Sequence, residues 1–149
     1  MKSSSSSIRL TRAAVAVIAV LLIVLALFLP VLLSRLTAGG YRNGLHSTPL
    51  FLTASYLCIG CALWILYRLN LLLMNIGSQA VFTEANIRLL HEIGSGCFAV
   101  CLIGGIAQFY YLPWLFVFLA AGFMTLILHV IRNVFEQARR IKEENDYTV

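Results

Sequence analysis

Residues 93–131 read IGSGCFAVCLIGGIAQFYYLPWLFVFLAAGFMTLILHVI, a stretch of 39 residues without one Asp, Glu, Lys or Arg. As a single helix it would be about 58 Å long, twice the thickness of a bilayer's hydrocarbon core. It must therefore turn back on itself. Tyr110, Tyr111, Pro113 and Trp114 mark the turn: proline stops a helix, and the aromatic rings suit the headgroup level. The stretch predicts a tight hairpin of two membrane spans, over 93–112 and 113–131.

Upstream lie two more long apolar runs. The first covers 13–34, 22 residues, or about 33 Å as a helix. A cleaved signal peptide is the competing reading of this basic-flanked segment. Its apolar core is usually about 7–15 residues, and no clean small-x-small site follows, so the segment is kept as a span. The second run covers 50–74, with Pro49 suited to its first turn. Arg68 and Asn70 interrupt it near its far end. Between the runs, 35–49 is a polar loop broken by Gly39, Gly40 and Gly44. Residues 1–12, MKSSSSSIRLTR, read as a flexible serine-rich tail.

The composition agrees with lipid as the main solvent. Of 149 residues, 60% are hydrophobic and 11% charged, with a mean hydropathy of +0.90. A soluble domain is about 45–50% apolar and about 25% charged. A cytosolic enzyme, a disordered tail and a disulfide-rich secreted module are excluded. The expected class is an all-α integral membrane protein of four transmembrane helices, with helical cytoplasmic extensions before the third span and after the fourth.

Net charge is +5, but placement is more informative. All six acidic residues lie after residue 83, and the basic ones cluster beside apolar runs. Four spans put both termini on one side. Nine Lys and Arg fall on that side, in the tails and the second loop region, against Arg35 and Arg42 on the other. The positive-inside rule then predicts cytoplasmic termini. Direct nucleic-acid binding is not expected, because no soluble domain exists to carry a basic face.

Four cysteines invite a redox reading: Cys58 and Cys61 form CIGC, and Cys97 and Cys101 form CFAVC. Quinone-coupled thiol oxidoreductases resemble the chain in span count, but expose their pair near the outer face and relay electrons through loop cysteines. Here Cys58 lies about 12 Å inside its helix's outer edge, and no loop cysteine exists. Helix packing is the favoured role. Cys97, Cys101 and Gly105, with Gly96, Val100 and Gly104 beside them, form a small-xxx-small stripe. It suits close packing within the chain, with a homodimer as the sharper alternative. Arg68 reads as an interface anchor and His129 as hydrogen-bonded structure, with an ion path or proton relay as rivals. No metalloprotease, phosphate-loop or nucleophile-elbow motif occurs. No enzyme activity, metal or cofactor is expected.

The polar connection over 75–92 carries a helix start, with Thr83 as cap and Glu84 in the first turn. That helix is expected to run unbroken into the third span. After Ile131, residues 132–149 predict an amphipathic helix. Val134, Phe135, Ala138 and Ile141 fall on one face. Glu136–Arg140, Arg139–Glu143 and Arg140–Glu144 have ion-pair spacing on the other. The apolar faces Ile87, Leu90, Ile93 and Val134, Phe135, Ile141 are expected to pack together as a platform beyond the bilayer.

Two stretches, VFTEANIRLLHEIG at 81–94 and VIRNVFEQARRIKEENDYTV at 130–149, resemble a family of small bacterial membrane proteins catalogued as domain of unknown function 2975. The carriers are the pattern Phe82, Asn86, Leu89, Ile93, Gly94 and the terminal Glu143, Glu144, Asn145, Asp146, Thr148, Val149. The chain departs from the family pattern with Val81 where proline is expected and Tyr147 where leucine is usual. The resemblance implies four spans in a bacterial inner membrane and no known enzyme activity. Family members look like neighbours of small helix-turn-helix regulators, which suggests such a regulator as partner. The leading expectation is a membrane regulatory adaptor that binds a cytoplasmic protein. Its candidate surface is Phe82, Asn86, Phe135, Arg139, Glu143, Glu144, Asn145 and Asp146. A thiol–quinone oxidoreductase and a small channel or transporter subunit are the alternatives.

Overall fold

The computed structural model describes residues 2–38, 48–77 and 83–147. They form four helices: α1 (Lys2–Ala38), α2 (Thr48–Gly77), α3 (Glu84–Ala107) and α4 (Trp114–Tyr147). No strand occurs among the described residues. Each helix is long and apolar enough to cross a membrane, and the chain is a multi-pass membrane protein.

The helices alternate in direction. Arg12 near the start of α1 bonds Asn70 near the end of α2, at 3.1 Å. Deeper along the pair, the Tyr56 hydroxyl donates to the Ala26 carbonyl at 3.1 Å. The start of α1, the end of α2, the start of α3 and the end of α4 therefore share one end, here termed the charged end. The 108–113 turn lies at the other, the hairpin end.

Packing is sequential. Among the described residues α1 meets α2, α2 meets α3 and α3 meets α4, with no α1–α4 or α2–α4 backbone approach. The bundle is an open row rather than a closed ring. Most large apolar side chains of α1 and α4 face outward, as lipid-facing helices must. The buried cluster lies toward the charged end: Leu72, Leu89, Leu90 and Ile93, flanked by Ile65, Leu69, Leu71, Ile76, Leu128 and Phe135.

Glycine sets how closely the middle helices approach. A Cβ on Gly104 would stand 3.0 Å from the Phe118 backbone nitrogen and 3.2 Å from its Cα. A Cβ on Gly96 would stand 2.7 Å from Ile65 Cγ1. Cys101 is buried, with its sulfur 3.4 Å from where a Gly122 Cβ would lie. The small-residue stripe is thus used within the chain, from α3 toward both neighbours.

The 113-centred turn stands where the proline and aromatics put it, but α3 ends at Ala107 rather than at 112. Gln108 closes the helix through its main chain, donating to the Gly104 carbonyl at 3.0 Å. Tyr110 and Tyr111 both donate to the Ala107 carbonyl at 3.0 Å, so the chain has already turned before Pro113. Thr83 caps α3 as expected: its backbone is extended and its hydroxyl accepts from the Asn86 N–H at 3.4 Å.

One expectation at the N-terminus needs correction. The 1–12 segment, read as a flexible tail, is helical from Lys2 onward. Serine costs only about 0.5 kcal/mol more than alanine in a helix, and an established helix propagates cheaply. The helix begun by Thr83 runs unbroken into the third apolar run, as expected, forming one element over Glu84–Ala107. From Ile93 to Ala107 runs about 22 Å of helix, short of a hydrocarbon core of about 30 Å. The third candidate span therefore takes in the segment begun by Thr83, over Glu84–Ala107.

Candidate functional site

The polar chemistry of the described residues gathers at the charged end, and each helix interface there is fastened by a side-chain pair. Arg12–Asn70 joins α1 to α2. Between α2 and α3, the Asn75 amide donates to the Asn86 side-chain oxygen at 2.9 Å, and Arg68 Nε meets Glu92 Oε2 at 2.9 Å. Between α3 and α4, Arg132 Nη1 meets His91 Nδ1 at 3.1 Å, and Arg139 Nη1 lies 3.7 Å from Glu84 Oε2.

Arg68 shows how such a group is tolerated. Its guanidinium lies 4.4 Å from the Trp64 ring centre and 6.0 Å from that of Tyr67. The aromatic faces shield the cation while attracting it. Its side chain and that of Glu92 are 24% and 30% exposed, yet the two contacting atoms are shielded from solvent. The arrangement is a fixed, partner-matched ion pair rather than a free snorkelling side chain.

Asn86 is wholly buried (0% exposed). A side-chain amide hidden from water requires partners, and Asn75 is one of them. Asn86 thus sits inside the α2–α3 interface rather than on a surface. Phe135 is half-buried against the cluster of Leu72, Leu89, Leu90 and Ile93. Arg139 pairs with Glu143 at 2.8 Å as well as reaching Glu84. The hydrogen bond to Glu143 and that carboxylate's charge raise the pKa of the Arg139 guanidinium further, so Arg139 stays cationic in this clasp. Glu143, Glu144 and Asn145 lie exposed on the last turns of α4. Asp146 belongs to the helix, and Phe82 lies outside the described residues.

The expected platform forms only in part. Ile87, Leu90 and Ile93 are buried, and Phe135 packs, but Val134 and Ile141 are 56% and 60% exposed. The reason is angular. At 100° per residue Val134 and Ile141 stand within about 20° of each other, while Phe135 is about 100° away. The face against α3 is centred on Leu128, Phe135, Arg132 and Arg139, so it takes one edge of the apolar arc and leaves the rest. Leu72, Ile65, Leu69 and Ile76 of α2 fill the space instead. Glu136 pairs with Arg132 at 3.7 Å rather than with Arg140.

Glu92 as the partner of Arg68, Asn75 as the partner of Asn86, and the His91–Arg132 contact are first seen in three dimensions. One signal was available: a lone arginine amid apolar residues needs a counter-ion, and Glu92 is the acidic residue nearest the third apolar run.

Among the described residues, hollows open between helices at both ends. At the hairpin end, a hollow of about 200 Å³ is lined by aliphatic and aromatic groups, with Phe51 edge-on to Tyr111 and Trp114 at 5.7 and 6.0 Å. At the charged end, a groove of about 290 Å³ between α3 and α4 contains His91, Ser95, Thr125, His129 and Arg132. The four cysteines are free thiols; Cys58, Cys61 and Cys97 are half-buried. Among the described residues no cluster of three His, Cys, Asp or Glu is placed to hold a metal.

No curated protein and no solved structure matches the chain. Residues 6–149 match the profile of a family described as "Protein of unknown function (DUF2975)", and the chain belongs to that family.

Proposed function

We propose that the protein is a non-enzymatic adaptor of the bacterial inner membrane, with both termini cytoplasmic, and that the charged end of α4 docks a soluble protein. A helix-turn-helix regulator is the proposed partner, suggested by the family resemblance.

The observation that carries this reading is a stripe on α4. Phe116, Leu119, Phe123, Val130, Val134 and Ile141 are all large, apolar and exposed. At 100° per residue they fall within about 60° of one another. Over most of its length this stripe faces lipid. It does not stop at Arg132, the first charge after the apolar run, but continues to Ile141, about 13 Å further along the helix. An amphipathic helix with an uncovered apolar face is a surface for a partner to cover. The helix is held for that purpose: Phe135 packs behind it and Arg139 ties it to Glu84. Exposed Glu144, about 60° from Ile141 around the helix, borders the stripe, giving a partner charge to match.

The test is co-purification from native membranes of the tagged wild type against Val134→Asp/Ile141→Asp. Both positions are exposed, so the variant should keep its thermal stability in detergent. A soluble protein retained by the wild type and lost from that variant supports the reading. Equal recovery with both chains counts against it.

A further inference from the structure

The groove between α3 and α4 at the charged end has an electrostatic character that the adaptor reading does not use. Its cationic end carries Arg132 with His91, and His129 stands about one helical turn deeper on the same wall. Leu128, level with His129 and about one helical turn deeper than Arg132, and Phe98, about two turns deeper than His91, wall the groove toward the apolar run. The geometry points to a binding site for an anionic phospholipid, with its headgroup phosphate at Arg132 and the start of an acyl chain along Phe98.

Arg132 is the anchor. A guanidinium has five N–H donors in a fixed fork that fits phosphate oxygens. Here Nη1 is directed at His91 Nδ1 at 3.1 Å. Nε is shielded from solvent and has no hydrogen-bond partner. Nη2 has only Glu136, at 3.7 Å, well beyond the roughly 2.7–2.9 Å of a charge-assisted hydrogen bond. The other nearby acid, Glu92, is committed to Arg68 at 2.9 Å. The groove thus gathers donors around a cation whose own carboxylate contact is long. His129 lines the same wall and makes no hydrogen bond or ion pair among the described residues. The Ser95 and Thr125 hydroxyl hydrogens are spent on the Glu92 and Ala121 carbonyls. Selection for phosphate therefore falls to Arg132 and the two imidazoles.

The depth decides between a lipid and a free anion. Arg132 is the first charge after the long apolar run, so it stands at headgroup level. A basic pocket between membrane helices with an apolar floor is matched by an amphiphile. A free phosphate would use the cationic end and leave Phe98 uncovered.

The full-length chain is placed in nanodiscs of equal phosphatidylglycerol and phosphatidylcholine. Retained lipid is then read by native mass spectrometry after transfer to detergent. The wild type should keep phosphatidylglycerol in preference to phosphatidylcholine. Arg132→Gln should lower that preference about tenfold, and His129→Gln should lower it without changing the melting temperature. Arg140→Gln, an exposed cation outside the groove, should leave it unchanged. The proposal is overturned if folded His129→Gln and Arg132→Gln both keep the wild-type preference. It is equally overturned if Arg140→Gln loses as much as Arg132→Gln, which would mark a diffuse charge effect. Release of the retained lipid by millimolar inorganic phosphate would assign the site to a free anion instead.

Discussion

Arg68 and Glu92 hold the residue-scale argument. Their contacting atoms are removed from water in an apolar setting, where an unpaired charge is costly. Arg68→Leu alone should lower stability in detergent by about 1–3 kcal/mol, less than a fully buried pair because both side chains keep partial exposure. Glu92→Leu should do the same. The double variant Arg68→Leu/Glu92→Leu should recover much of the loss, since neither charge is left alone. Thermal unfolding of the four proteins forms the cycle, and strictly additive losses would show that the pair is not coupled. Asn86→Leu should also destabilise, by about 1–3 kcal/mol, because it strands the Asn75 amide that now donates to it. An arginine six residues from the end of its apolar run could be read as snorkelling from spacing alone. Its true partner is on another helix, and only the three-dimensional pairing of α2 with α3 brings Glu92 within 2.9 Å.

At the scale of elements, close helix approach and face assignment are the issues. A methyl group on Gly104 meets main-chain atoms of Phe118, which cannot swing aside. Gly104→Ala should therefore cost about 1–3 kcal/mol. Gly60 has nothing within 4 Å of its missing Cβ, so Gly60→Ala should be neutral or stabilise by up to about 1 kcal/mol. Melting curves for the two variants should move in different directions or by clearly different amounts. The extension of α4 gives a second contrast. Phe135→Asp should lower the melting temperature because Phe135 packs on the buried cluster, while Val134→Asp, one residue away, should not. The existence of this helix was legible in the 3.6-residue spacing of its apolar positions. Which part of the apolar arc packs was not, because an arc of about 120° has two edges and the partner helices choose one. The stop of α3 at Ala107 was hidden for a similar reason: proline and aromatics mark the neighbourhood of a turn, while the main-chain bonds to Ala107 set where it begins.

For the whole molecule, the four helices, their alternation and the hairpin followed from lengths and charges, because lipid leaves few other ways to satisfy a backbone. The open row did not follow, since span count says nothing about which helices touch. α1 is held by α2 alone among the described residues, so it should be the first helix to separate. Tyr56→Phe, which removes the bond to the Ala26 carbonyl, should speed proteolytic loss of α1 without releasing α3 from α4. The proposed orientation rests on the charge count and predicts that a reporter active only outside the cytoplasm should signal when fused near Gly40 and stay silent at Val149. The adaptor reading rests on what touches the stripe beyond Arg132. A photo-crosslinking residue placed at Ile141 of the full chain in living cells tests it most directly, with the same residue at Phe123 as the lipid-facing control. The account predicts one discrete adduct with a soluble protein at Ile141 and none at Phe123. Adducts with lipid alone at both positions would contradict it.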